Sequence, residues 1–389
     1  MRRRVAVVIG TRPEAIKMAP VIQELAADGR FDPLVVSTGQ HTDMLDQVLD
    51  EFGIAPDVDL AVRRGGQTLA ELTGAVISGL DAVFERAAPH AVLAHGDTTT
   101  ALGAGLAAFY RAIPLAHVEA GLRSADKWAP YPEEVNRRTL ALLADLHLAP
   151  TARARQNLLA EGVRADAVVV TGNTVVDAMH GMVRRARGWA DPALAVLDQD
   201  PRRVLLFTCH RREAWGPAME GVARAVRDAA DRHPDMLVVA GVHANPVVRA
   251  ALLPALGRRD NVVLTGPQPY STFLKLIQRA HLVLTDSGGI QEECVGLGTP
   301  ALVLREVTER QEAVAAGGIE VVGTDPARIH RAVDALWSDA ARHGAMASAD
   351  NPYGDGRAAG RCVRALARLL ESHTARTAGP APLPEGVLR

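Results

Sequence analysis

The chain has 389 residues, more than one hydrophobic core usually serves, so two domains are expected. Its apolar share is 48%, its charged share 23% and its formal net charge −2, an ordinary globular composition that offers no basic field to nucleic acid. Behind the basic start Met1-Arg2-Arg3-Arg4 the apolar run spans only residues 5–9, too short for a signal peptide, and no run of about eighteen apolar residues follows to cross a membrane. Cys209, Cys294 and Cys362 are far apart and lack CxxC spacing, which points to a reducing cytoplasm and away from disulfides or a metal framework.

In chain order, residues 5–9 read as a buried strand, then a turn at 10–13 and a helix to about residue 27. A strand at 34–36 precedes a helix at 44–52. Strands at 91–94, 114–118, 145–148 and 168–170 alternate with helical patterns, among them the small-residue stretch 101–110. The pattern stalls near Gly172, and a second series begins, with strands at 204–207, 237–240, 262–264, 282–284 and 301–304. Strands alternating with helices specify α/β architecture: two Rossmann-like, doubly wound parallel-sheet domains. The expected division is 1–171 and 172–354, with a helix at about 355–372 returning to the first domain and a flexible tail at 373–389. Ligands of such sheets lie beyond the carboxyl ends of the strands, so an interdomain cleft is the expected site.

The loops at those strand ends carry the chemistry. Gly10-Thr11-Arg12-Pro13-Glu14 follows the first strand; Arg12 can fork onto a phosphate and Lys17 can add a point charge, although Pro13 and Glu14 also make an ordinary helix start. Asp97, in His95-Gly96-Asp97-Thr98, reads equally well as a helix N-cap. Glu119 lies just past a hydrophobic strand, where it needs either Arg123 as a partner or a cleft that raises its pKa. In Tyr131-Pro132-Glu133-Glu134, at least one acid is expected to be no more than a helix first turn. His210-Arg211-Arg212, after the first strand of the second domain, suits a diphosphate. Gln268 and Phe273 sit where a ring could stack on a base, although Phe273 also fits a helix core. Finally, Asp286-Ser287-Gly288-Gly289-Ile290-Gln291-Glu292-Glu293 forms a strand–turn–helix corner suited to an anion. A helix N-terminus contributes about 0.3–1 kcal/mol, at most ~2, while micromolar affinity needs about 8. Charge-assisted bonds from Arg12, His210 or Arg310 must supply much of the rest.

In this order and spacing, these motifs, with His117-Val118-Glu119-Ala120-Gly121-Leu122-Arg123, His210-Arg211-Arg212-Glu213 and Thr308-Glu309-Arg310, resemble the non-hydrolysing UDP-N-acetylglucosamine 2-epimerases over residues 4–370. The resemblance implies a glycosyltransferase B-like pair of domains with UDP in the cleft, no cofactor, and a homodimer in the cytoplasm. It implies C2 inversion of UDP-N-acetylglucosamine to UDP-N-acetylmannosamine, by loss of UDP to a bound 2-acetamidoglucal and its re-addition. Asp97, Glu119, Glu133 and His210 match the catalytic set. Arg12, Lys17, Gln268, Phe273, Ser287, Gly288, Gly289, Glu293 and Arg310 match substrate contacts.

Many bacterial members also bind a second UDP-N-acetylglucosamine as activator. The corresponding positions are Gln40, His41, Asp43, Gly66, Glu134, Arg211 and His243. Asp43 replaces the usual Gln or Glu and Gly66 the usual Arg, so activation is expected to be weakened or absent. Ala125 and Gln311 depart from the family's Gly and Pro. The rival readings are a hydrolysing 2-epimerase, which usually lacks the Arg-Pro-Glu of residues 12–14, a UDP-sugar glycosyltransferase, and a non-catalytic sensor.

Overall fold

A computed structural model describes residues 2–40, 43–124, 126–185 and 188–377. His41, Ala125 and the end of the expected tail, residues 378–389, lie outside the described residues. In chain order the first half runs β1 (Arg3–Ile9), α1 (Arg12–Ala27), β2 (Phe31–Ser37), α2 (Asp43–Phe52), β3 (Val58–Asp59), α3 (Leu69–Ala87), β4 (Ala91–His95), α4 (Thr99–Tyr110), β5 (Leu115–Val118), α5 (Glu133–Leu143), β6 (Leu146–Ala149), α6 (Ala152–Ala160) and β7 (Val168–Val170). The second half runs α7 (Thr174–Val183), β8 (Arg203–Thr208), α8 (Pro217–Arg232), β9 (Met236–Gly241), α9 (Pro246–Leu256), β10 (Val262–Thr265), α10 (Tyr270–Arg279), β11 (Ala280–Thr285), α11 (Gly288–Leu297), β12 (Ala301–Val303), α12 (Gln311–Ala315), β13 (Ile319–Val321), α13 (Pro326–Ser338), α14 (Ala340–Ala347) and α15 (Ala358–Thr377).

The chain divides into two compact units, the first of residues 1–42, 55–171 and 357–389 and the second of 43–54 and 172–356. In unit 1 the sheet order is β3-β2-β1-β4-β5-β6-β7, and in unit 2 it is β10-β9-β8-β11-β12-β13, every pairing parallel. The strand runs are short, mostly apolar and bounded by turns, so both sheet faces can be covered by helices, as parallel sheets require. Val7, Val8, Leu93 and Ala116 in unit 1, and Leu205, Val238 and Leu284 in unit 2, are almost completely buried. The strand order reverses between β1 and β4 in unit 1 and between β8 and β11 in unit 2. These switch points are where open α/β sheets bind ligands.

Two details correct the sequence reading. Helix α2, expected in the first domain, packs with unit 2. Its Glu51 carboxylate accepts the Tyr270 and Ser271 N–H groups at 2.7 and 2.9 Å and so caps the start of α10, and the Phe52 ring lies 6.3 Å from that of Tyr270. Helix α15 extends through Thr377, the last described residue, beyond the expected end near residue 372. The edge strands β3 and β13 are two and three residues long, too short to show a period. Among the described residues no helix is long and apolar enough to cross a membrane, and no group of three or more His, Cys, Asp or Glu could hold a metal ion.

Candidate functional site

In unit 1 the expected residues collect at the carboxyl ends of β1, β4 and β5, three neighbouring strands. Arg12 opens α1 and is half-buried. Lys17, one turn on, is 5% exposed and donates to Glu119, whose other carboxylate oxygen lies 3.4 Å from His95 Nε2. Arg123 does not serve Glu119: its guanidinium grips Glu161 through two bonds of 2.7 and 2.6 Å. Glu119 is held at φ 64°, in the left-handed region. For a non-glycine residue that costs about 1–2 kcal/mol. A strained carboxylate between two basic side chains is characteristic of a site rather than of packing.

Asp97 is not the N-cap of α4. Thr98 takes that position, accepting the Ala101 N–H at 3.0 Å. Asp97 instead pairs with Arg137 of α5, and its backbone carbonyl accepts Asn136 Nδ2 at 2.9 Å. Behind it, His117 Nε2 donates to the Gly96 carbonyl at 2.7 Å. Burial pushes the His117 pKa down to about 3, so the ring stays neutral and the tautomer with hydrogen on Nε2 satisfies that carbonyl. Glu133 is half-buried at the start of α5. Glu134 is fully buried: one oxygen accepts Arg138 Nε at 2.8 Å, and the other accepts the Ser124 N–H at 3.0 Å and lies 3.2 Å from Arg137.

In unit 2 the residues collect after β8, β9, β10, β11 and β12. The buried carboxylate of Asp286 accepts the His210 and Arg211 N–H groups, both at 2.7 Å, and lies 3.3 Å from His210 Nδ1. Asp286 thereby folds the His210 loop against the β11–α11 corner. Burial lowers the His210 pKa, with Asp286 opposing, so its resting form is the neutral imidazole. His243 stacks on it with ring centroids 5.8 Å apart. Ser287 is the N-cap of α11, and Gly288 and Gly289 form its first turn, whose N–H groups have no intrahelical acceptors. A Cβ on Gly288 would stand 3.1 Å from Arg310 Cζ, so glycine is what lets the guanidinium lie over the corner. Arg310 is held there by two bonds of 2.9 Å to Glu292 Oε1. Arg310 and Arg305 together pull the Glu309 pKa down to about 2 against its burial.

Glu293 is buried on α11. Gln268 is buried too, and its amide nitrogen donates to Thr265 Oγ1 at 2.6 Å, which in turn donates to Asp191 at 2.6 Å. Phe273 is half-buried, unlike its neighbours Thr272 and Leu274, so it is not simply a core residue of α10. Of the second set of residues, Gln40 accepts Thr100 Oγ1 at 2.9 Å, and the Arg63 guanidinium lies 3.3 Å from its carbonyl. Asp43 opens α2, Gly66 is exposed at φ 74°, and Arg211 and His243 stand beside His210. The sequence reading missed Arg137, His95 and Glu292 as partners of its site residues. Arg137 stood in the Asn136-Arg137-Arg138 run, but nothing local marks which carboxylate a helical arginine meets.

Two doubly wound units, one with acidic groups at its sheet's carboxyl edge and the other with a glycine corner and paired arginine at its own, are the arrangement of an α/β enzyme that takes an anionic ligand. The family model for UDP-N-acetylglucosamine 2-epimerase matches residues 23–367. The UDP-N-acetylglucosamine 2-epimerases of Escherichia coli and Bacillus subtilis are 47% and 46% identical, each over 93% of this chain and over 98% and 94% of their own. The crystal structure of the Neisseria meningitidis UDP-GlcNAc 2-epimerase bound to UDP-GlcNAc matches with a TM-score of 0.88 at 42% identity, covering 94% of this chain and 100% of that one. The chain belongs to the UDP-N-acetylglucosamine 2-epimerase family and is an isomerase.

Proposed function

We propose that the enzyme interconverts UDP-N-acetylglucosamine and UDP-N-acetylmannosamine without hydrolysis. The C2 proton is removed as the C1–O bond to UDP breaks, leaving 2-acetamidoglucal; UDP then adds back to C1 while C2 takes a proton from the opposite face. Inversion of this kind needs two groups in different protonation states on the two faces. The observation that carries the reading is that unit 1 holds carboxylates in distinct pairings: Asp97 on Arg137, and Glu119 between Lys17 and His95. With Glu133 they form the acid–base set.

In this scheme Lys17 orients Glu119, and Arg12 contacts the diphosphate. His210, neutral at rest, donates its ring N–H to the departing diphosphate and so stabilises it. Ser287, Gly288, Gly289, Glu293 and Arg310 hold phosphate and ribose, and Gln268 and Phe273 the uracil. Activation by a second substrate molecule is weakened, since Gly66 and Asp43 stand where an arginine and a Gln or Glu would reach that molecule, and a missing arginine removes a charge-assisted contact to its diphosphate. The reverse reaction should then follow a hyperbolic dependence on UDP-N-acetylmannosamine, and a strong gain in rate on adding UDP-N-acetylglucosamine would contradict that.

The enzyme acts in the cytoplasm as a homodimer. Phe109 and Tyr110 at the end of α4 and Leu142 on α5, 61%, 68% and 86% exposed, provide an apolar surface suited to a second copy, and sedimentation would show a monomer if this is wrong. The decisive test of the chemistry is incubation with UDP-N-acetylglucosamine in deuterated water, followed by NMR. Deuterium at C2 of intact UDP-sugar is expected. Free N-acetylmannosamine with UDP would identify a hydrolysing enzyme instead, and no exchange at all would refute the scheme.

A further inference from the structure

Glu14 belongs to no part of the scheme above, and its position in the first turn of α1 reads as routine helix chemistry. Its side chain is nevertheless 1% exposed, and four donors converge on it. Oε2 accepts the Gly10 N–H at 3.0 Å, the Thr11 N–H at 2.8 Å and the Thr11 hydroxyl at 2.9 Å. Oε1 accepts the Thr98 hydroxyl at 2.6 Å. A cap that reaches back to its own N-terminus would need only the first oxygen. The second oxygen crosses the switch point between β1 and β4 to the residue that follows Asp97.

Thr98 is already used as the N-cap of α4, where Oγ1 accepts the Ala101 N–H. With Glu14 ionised, that hydroxyl donates to the carboxylate and accepts from Ala101, and every polar group is satisfied. A proton on Oε1 would turn the contact round, forcing Oγ1 to accept twice and lose its own acceptor. A proton on Oε2 would face three donors. The network is therefore complete only with the carboxylate charged, although burial raises its pKa from 4.5 to about 7.

We propose that Glu14 is a positioning residue for the epimerisation, its carboxylate locking the Asp97 loop to the corner that carries Arg12. The proposal rests on the assignment of Asp97 and Arg12 to the reaction. The ionisable groups on neighbouring elements are Arg12 and Lys17 on α1, His95 and Asp97 at the end of β4, and Glu119 after β5. Of these, Lys17 and His95 engage Glu119, and Asp97 engages Arg137.

The test is steady-state kinetics on Glu14→Gln, Thr98→Val, their double variant and Thr98→Ser, with thermal melting recorded for each. A displacement of about 1 Å at a reacting group can cost about 10²-fold in rate. At alkaline pH, Glu14→Gln and Thr98→Val should each lower kcat by about that factor with KM little changed, and the double variant should fall no further, because both remove one link. Thr98→Ser should restore kcat. The wild-type kcat should fall as pH drops through about 7, and Glu14→Gln should lack that limb. Losses that multiply in the double variant, or wild-type kcat in Glu14→Gln, would overturn the proposal. If Glu14→Gln does not fold, the limb near pH 7 decides: Thr98→Val should lose it and Thr98→Ser keep it, whereas loss of the α4 cap alone would leave it in place. Full activity of Asp97→Asn would instead remove the assignment of Asp97, a distinct failure.

Discussion

Replacing Arg137 by methionine separates the two tasks this buried guanidinium performs. Arg137 is 4% exposed and serves two carboxylates, Asp97 through Nη2 and Glu134 through Nη1 at 3.2 Å. Methionine fills most of the volume but leaves both carboxylates without this cation. Breaking a buried pair by removing one partner costs about 3–5 kcal/mol. Glu134 keeps Arg138 at 2.8 Å and the Ser124 N–H at 3.0 Å, so its share is small. The Asp97 side chain is 25% exposed, so water recovers part of its share. The expected loss therefore lies near the lower end, about 3 kcal/mol. Urea unfolding followed by circular dichroism should show a lower midpoint with an unchanged slope. Arg138→Met is the control: that side chain is 49% exposed, and its pair with the same Glu134 should be worth at most about 1 kcal/mol. In Arg137→Met, kcat should also fall, since Asp97 loses the guanidinium that positions it. A stability loss below about 1 kcal/mol would refute the argument, because it would put Arg137 in the class of surface ion pairs.

Three further outcomes are expected. The neutral, buried His117 has a folded-state pKa depressed to about 3 and His147 one depressed to about 4, against 6.5 unfolded. The folded state therefore binds fewer protons across that window, and stability present above pH 6.5 is lost as pH falls toward 3. Melting temperatures measured against pH should show this slope, and His117→Asn should flatten it. Gly288→Ala would bring a Cβ to 3.1 Å from Arg310 Cζ and push the guanidinium off Glu292. The affinity for UDP by calorimetry should drop about tenfold, corresponding to ~1.4 kcal/mol; unchanged affinity would show that Arg310 does not work from that position. Glu51→Ala removes a charged cap from α10 and should destabilise unit 2 by about 1–3 kcal/mol. Hydrogen exchange should locate the loss in α2 and the first turn of α10, and protection unchanged there would argue against the cap.

The sequence by itself determined the architecture and the position of each candidate loop. Residues 5–9, 91–94 and 282–284 are short apolar runs ending in glycine-, histidine- or aspartate-bearing turns, and their alternation with helical patterns marks them as buried parallel strands. Because ligands of these sheets gather at the carboxyl ends of strands, the loops that carry Asp97, Glu119, His210 and Gly288 could be singled out as candidates from order alone. Tertiary structure decided which charge meets which. Arg123 was the neighbour that the sequence offered Glu119, but the parallel register of β1, β4 and β5 gave Glu119 to Lys17 and His95 while Arg123 went to Glu161. It also moved α2 to unit 2, because the contacts that hold it, Glu51 to the start of α10 and Phe52 to Tyr270, span more than two hundred residues and leave no local period to read. Glu14 shows the same division: as one residue it is a common first-turn acid, and only the approach of Thr98 from another strand end makes its second oxygen a link to Asp97. Side-chain type and spacing are local properties, whereas pairing, burial and pKa are set by groups that folding brings together from distant positions.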